Sequence, residues 1–109
     1  MNLVDFLQKE LKKTGLPVAY SHFLDEVEAP FIIFFITGTE HIGDDYQVRK
    51  KRYKVTIELF TQNKNMEAEK KLEDIFDGIP VAYETEFLYE IKENLFIASY
   101  KIIIDEGVF

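Results

Sequence analysis

The chain has 109 residues, 47% hydrophobic and 30% charged, a size and balance that support one globular core and leave too little material for a second. A net charge of -7 and a pI near 4.8 argue against a dedicated nucleic-acid binder, because a negative surface repels phosphate. The chain has no cysteine, which excludes disulfides, thiolate zinc sites and thiol nucleophiles.

Residues 3–14 predict a helix, with Leu3, Phe6, Leu7 and Leu11 on one face, Asn2 as N-cap and Gly15 with Pro17 as the stop. Residues 17–21 predict a short strand, and the acidic, non-periodic stretch 22–29 a loop. Pro30 opens Phe31-Ile32-Ile33-Phe34-Phe35-Ile36, apolar on both faces and so expected to be a buried strand. That run is far too short to span a membrane. Residues 37–46 hold Gly38, Gly43 and the pair Asp44-Asp45, which is loop chemistry. Residues 47–60 predict a long strand, with Tyr53, Val55, Ile57 and Leu59 opposed to Arg52, Lys54, Thr56 and Glu58.

A second helix is expected over roughly 64–77. Asn63 or Asn65 would cap it, Ala68, Leu72, Ile75 and Phe76 would form its apolar face, and Gly78 and Pro80 would end it. Two strands follow, joined by a short loop at 92–94. Tyr83, Thr85, Phe87, Tyr89 and Ile91 share one face of the first; Phe96, Ala98, Tyr100, Ile102 and Ile104 share one face of the second. The element order α-β-β-β-α-β-β implies an α+β fold: a mainly antiparallel sheet of four or five strands with two helices packed on it. One domain, residues 1–109, is expected.

The charge is unevenly placed. Residues 1–55 carry 8 basic and 8 acidic side chains and residues 56–109 carry 5 and 12, so the whole acidic excess lies in the second half. Arg49-Lys50-Lys51-Arg52 is the one basic cluster; it suits a charged strand edge, contact with an acidic neighbour, or phosphate. The acids of the second helix (Glu67, Glu69, Glu73, Asp74 and Asp77) are expected to form a solvated face. Glu84, Glu86 and Glu90 share a strand face with Leu88, which points to a partner surface.

Nothing reads as a catalytic, cofactor or metal site. His22 and His41 fall in different segments, and the Asp44-Asp45 pair lacks the alternate-acid spacing of a calcium loop. Ser21 and Ser99, the two serines, sit in no nucleophile context, and no phosphate-binding glycine loop occurs. No basic region followed by an apolar run opens the chain, so no secretory signal peptide is expected.

Several segments carry a resemblance. Pro30 to Phe34 followed by Gly43-Asp44-Asp45-Tyr46, then Tyr53 to Thr61 with Lys64, Glu67 and Leu72-Glu73, and finally Tyr89-Glu90-Ile91 and Tyr100-Lys101-Ile102, resemble a small family of tailed phages and prophages of Gram-positive bacteria. The likeness covers about residues 17–104; Gly43 stands where the family usually has alanine. These proteins look like head–tail joining, tail-completion or tail-terminator proteins. The resemblance implies a structural role in the virion tail, assembled in the host cytoplasm: a homo-oligomeric ring, a hexamer if it follows tail terminators, at the head-proximal end of the tail. It implies tail-tube or head-connector proteins as neighbours, passage of phage DNA without specific binding, and no cofactor. The expected subunit contacts are Asp44, Asp45, Arg49, Lys50, Lys51, Arg52, Glu84, Glu86, Leu88 and Glu90. The alternative is a small non-enzymatic binding or regulatory module with a protein partner.

Overall fold

The computed structural model describes residues 2–44, 47–79 and 81–109, and the side chains of all of these but residues 44 and 47–49. Among the described residues the order is α1 (Leu3–Leu11), a 3-10 turn (Lys12–Thr14), β1 (Val18–Tyr20), β2 (Phe31–Asp44), β3 (Gln47–Thr61), α2 (Met66–Gly78), β4 (Tyr83–Glu90), β5 (Leu95–Asp105) and a closing 3-10 turn (Glu106–Val108). The strands form one sheet in the order β1-β2-β3-β5-β4, antiparallel except for β1 beside β2. The fold is α+β.

Both helices start where the sequence places an asparagine. Asn2 Oδ1 accepts from the Asp5 N–H at 2.8 Å and Asn65 Oδ1 from the Ala68 N–H at 3.0 Å, each satisfying a donor that the first helical turn leaves free. Gly15, at φ +82°, turns the chain out of the first helical segment, a conformation that strains residues with a Cβ.

Strand register divides the sheet into two faces. On one, Ile32, Phe34, Val55, Ile57, Leu59, Ala98, Tyr100 and Ile102 are buried in a cluster with Leu7, Leu11, Leu72 and Phe76, so both helices lie on this face. Phe109 joins its end, 6.0 Å from Phe6 and 5.8 Å from Tyr53 between ring centroids. The opposite face carries Ile33, Phe35, Lys54, Glu58, Lys101 and Ile103, and no helix covers it. Ile33 and Phe35 are accordingly only half-buried, where a strand buried on both sides was expected. Phe23, from the 22–29 segment, folds over one end of this open face against Phe31, which stacks on Phe60 at 4.8 Å.

The largest departure from the sequence reading is at 37–44. These residues are not a loop; they continue β2 as far as Asp44, with Glu40 opposite Arg52, His41 opposite Lys51 and Ile42 opposite Lys50. The register shifts between Ile36 and Gly38 and between Ile42 and Gly43, so the glycines mark irregularities inside a strand rather than its end. The physical reason is the length of β3: its first residues run beyond β5, whose last partner pair is Arg52–Asp105, and only β2 can satisfy their backbone. Two smaller corrections apply. The β4–β5 loop is 91–94 rather than 92–94, since Glu90 pairs with Leu95 and Asn94 takes a left-handed φ of 55°. The acidic face of α2 is not wholly solvated: Glu69 is buried beside Lys64, and Glu73 accepts hydrogen bonds from two tyrosines of the sheet.

Beyond Arg52 and Glu40 the β2–β3 pair projects as a two-stranded arm. The radius of gyration is 14.9 Å, against about 13 Å for a compact chain of this length, and the long dimension is 49 Å. The 15 residues of β3 span roughly 50 Å at 3.4 Å each, so β3 sets that length.

Candidate assembly surface

The arm is basic on both of its faces. Lys50 lies on the open-face side, with Arg52 and Lys54 on the same face at the base of the arm, and Lys51, one residue out of phase, on the helix side. Part of this charge is matched inside the chain. Arg52 Nε donates to Asp105 Oδ1 at 2.9 Å, Lys50 Nζ lies 3.6 Å from Asp105 Oδ2, and Lys54 Nζ lies 3.3 Å from Glu40. These ion pairs are solvent-exposed and contribute roughly 0–1 kcal/mol each. The two pairs with Asp105 tie the base of the arm to the end of β5, and the Lys54–Glu40 pair ties β3 to β2.

Lys54 also leans over Gly38: a Cβ placed there would lie 3.7 Å from its Cδ. With no side chain at Gly38, the aliphatic stem of Lys54 lies over it and the ammonium meets Glu40 on β2. Past Phe34 the outer edge of β2 has lost β1, whose last partner is Phe34.

β4 is the opposite margin of the sheet. It is paired to β5 on one side only, and its residues after Tyr83 are all exposed. Glu84, Glu86 and Leu88 line the open face, in register with Lys101, Ser99 and Ile97, and Glu90 closes the strand beside Leu95. On the helix face stand Phe87, 58% exposed, and Tyr89, 48% exposed, with Phe96 5.0 Å from Tyr89. Lys64 Nζ sits 3.6 Å above the Phe87 ring, so that ring already receives one cation.

Alternation alone assigns Phe87, Tyr89 and Phe96 to the core, and the structure leaves them on the surface. The 13 residues of α2 reach about 20 Å, against about 37 Å for the 11 residues of β5. The helix therefore covers Tyr83 and Tyr100 through Phe76 but stops short of the β4–β5 turn. Their exposure follows from a difference in element length, a signal available in the sequence but absent from any single strand.

The seven expected contact residues whose side chains are described thus fall into two groups, one on the arm and one on the far margin of the sheet. Lys50, Lys51 and Arg52 lie on the arm, and Glu84, Glu86, Leu88 and Glu90 lie along β4. Within one chain β5 lies between them; Glu84 stands level with Thr56 of β3 and Glu90 lies beyond Thr61, so β4 runs from near the base of the arm to the other end of the sheet. The side chains of Asp44 and Arg49, and the whole of Asp45 and Tyr46, lie outside the described residues.

A concavity of about 520 Å³ forms a groove on the open face edged by Thr37, Lys54, Glu84, Lys101 and Ile103. It presents two ammonium groups and one carboxylate, and no histidine or serine. Nearby on the same face, Glu58 is partly desolvated between strands, which raises its carboxyl above the usual carboxylate range. Among the described residues no three His, Asp or Glu side chains gather as metal ligands. No protein-family model matches the chain, and no curated protein matches it either.

Proposed function

We propose that this chain is a non-enzymatic structural subunit of a phage or prophage tail, of the head–tail joining or tail-terminator type, that assembles as a ring at the head-proximal end of the tail. The observation that supports this reading best is the placing of a basic arm and an acidic, partly apolar edge strand, β4, on different margins of one sheet. Surfaces that differ and lie on opposite margins associate head to tail, and a head-to-tail contact closes into a ring when its rotation permits. The resemblance over residues 17–104 supplies the biological setting: the virion tail, assembled in the host cytoplasm, with tail-tube or head-connector proteins above and below. A net charge of -7 lets DNA pass such a ring without sticking to it.

The test is absolute mass in solution by light scattering, across protein concentration and salt. A ring-sized species that grows with concentration and weakens with salt is expected. Lys50→Glu with Lys51→Glu should shift the population toward monomer and reduce the salt dependence; Arg52 is left in place because its bond to Asp105 anchors the arm. A strict monomer at every concentration removes self-assembly. It favours the second reading, a small binding module whose protein partner covers the exposed Phe87, Tyr89 and Ile91.

A further inference from the structure

We infer that the seam between copies is a strand addition: the free outer edge of β2 along the arm, residues 37–44, pairs with the free edge of β4, Tyr83–Glu90, of a second copy, so that one sheet runs across the boundary. This rests on the self-assembly reading above and specifies its contact. Three observations carry it.

The first is backbone supply and demand. Among the described residues, each of these two stretches has a strand neighbour on one side only. Eight residues of each are available, and the two edges lie on opposite margins of the sheet, so a second copy can continue it without reversing its faces. A long edge strand with no proline, such as β4, is an open template for pairing.

The second is charge on the open face. In a continuous sheet Glu84, Glu86 and Glu90 of one copy lie beside β2 of the next, one strand from its Lys50, Arg52 and Lys54. That is about 10 Å between backbones, within the reach of long side chains. Within one chain Lys54 lies 3.3 Å from Glu40 on the same face, so a glutamate of the neighbouring β4 meets it by sharing or exchanging that pair.

The third is chemistry on the helix face. There Phe87 and Tyr89 come beside Thr39 and His41, with Lys51 behind them. Aromatic rings accept a cation on that side, as Phe87 does from Lys64. The second copy therefore matches β4 on both faces: cations to carboxylates on one, cations to aromatic rings on the other.

The chain has no cysteine, so cross-linking can be directed at will. Thr39→Cys and Thr85→Cys place one thiol on each proposed edge, at exposed positions on the same face. Mixed and treated with a short bis-maleimide, the two variants should give a linked dimer containing one of each; each variant alone should give none. A second experiment uses charge: Glu84→Lys with Glu86→Lys should weaken self-association about tenfold or more, and mixing that variant with Lys50→Glu/Lys54→Glu copies should restore it. Circular dichroism of each variant confirms the fold, which these exposed positions should leave intact. A Thr85→Cys homodimer, or ring-sized mass unchanged by the β4 reversal with no mixed cross-link, overturns the seam while leaving ring assembly standing. A strict monomer overturns both.

Discussion

Two tyrosine hydroxyls of the sheet meet Glu73 of α2 in a mainly apolar interface, and removing the shorter of these bonds is a direct test of how the β4–β5 margin is held. The Tyr100 hydroxyl donates to Glu73 Oε2 at 2.8 Å, and the Tyr83 hydroxyl reaches Glu73 Oε1 at 3.4 Å. Tyr100 is fully buried, with its ring 5.4 Å from Phe76 and 5.8 Å from Tyr83. Tyr100→Phe keeps the ring packing and deletes only the hydroxyl. A hydrogen bond to a charged group contributes about 1.5–3 kcal/mol. Glu73 is half-exposed, so water can take up part of the loss, and the lower end, about 1.5 kcal/mol, is expected. With an unfolding entropy of about 2.1 cal/mol/K per residue, this lowers Tm by about 6 °C. Chemical denaturation of wild type, Tyr100→Phe, Glu73→Gln and the double variant gives the coupling directly, and about 1 kcal/mol is expected between the two sites. Coupling indistinguishable from zero, or a Tyr100→Phe variant as stable as wild type, would refute the claim that this bond ties the helix to the sheet.

The same pair makes the fold sensitive to alkali. Burial first, then the bond and charge of Glu73, raise the Tyr100 phenol above its ordinary value, so the stability it carries is complete below the unfolded pKa near 10 and is lost as pH rises beyond it. The unfolding free energy should fall by up to about 1.4 kcal/mol per pH unit above 10, with a shallower slope in Tyr100→Phe. Phe76→Ala removes a fully buried ring at the centre of the helix–sheet interface and should cost about 3–5 kcal/mol by urea denaturation. Asn65→Ala leaves the Ala68 N–H uncapped, and a loss of about 1 kcal/mol is expected in the same assay. Glu58, raised by desolvation, favours folding when protonated and opposes it when ionised. Glu58→Gln should therefore be more stable than wild type at neutral pH, with the difference fading as pH falls below the ordinary carboxylate range; a pH-independent difference would contradict the desolvation argument.

Much of the architecture is written in local patterns. The period-2 alternation of Tyr53 to Leu59 and of Ala98 to Ile104 names the buried face of the two central strands, and both are buried there. Asn2, Gly15 and Asn65 mark helix ends because caps and left-handed turns are local chemistry, decided by residues within one turn of each other. The α-β-β-β-α-β-β order follows from these signals. The glycines and acids of 37–44 are local signals too, but they point to a loop, because the backbone demand that makes them a strand comes from β3 across the hairpin.

The assembly surface needed the tertiary structure. Basic and acidic stretches are visible in the sequence as a bias between halves, yet their position on the arm and on the far margin of the sheet depends on strand order and register. Strand order, with β5 between β3 and β4, is a long-range choice that leaves β4 at the margin, and no residue of β4 encodes it by itself. Exposure of Phe87 and Tyr89 likewise depends on where a neighbouring helix ends. The sequence by itself determined which residues alternate, cap and turn, since those depend on neighbours along the chain. Which edges stay open and which charges meet was decided only when distant strands paired, because an edge is defined by the strand that is not beside it.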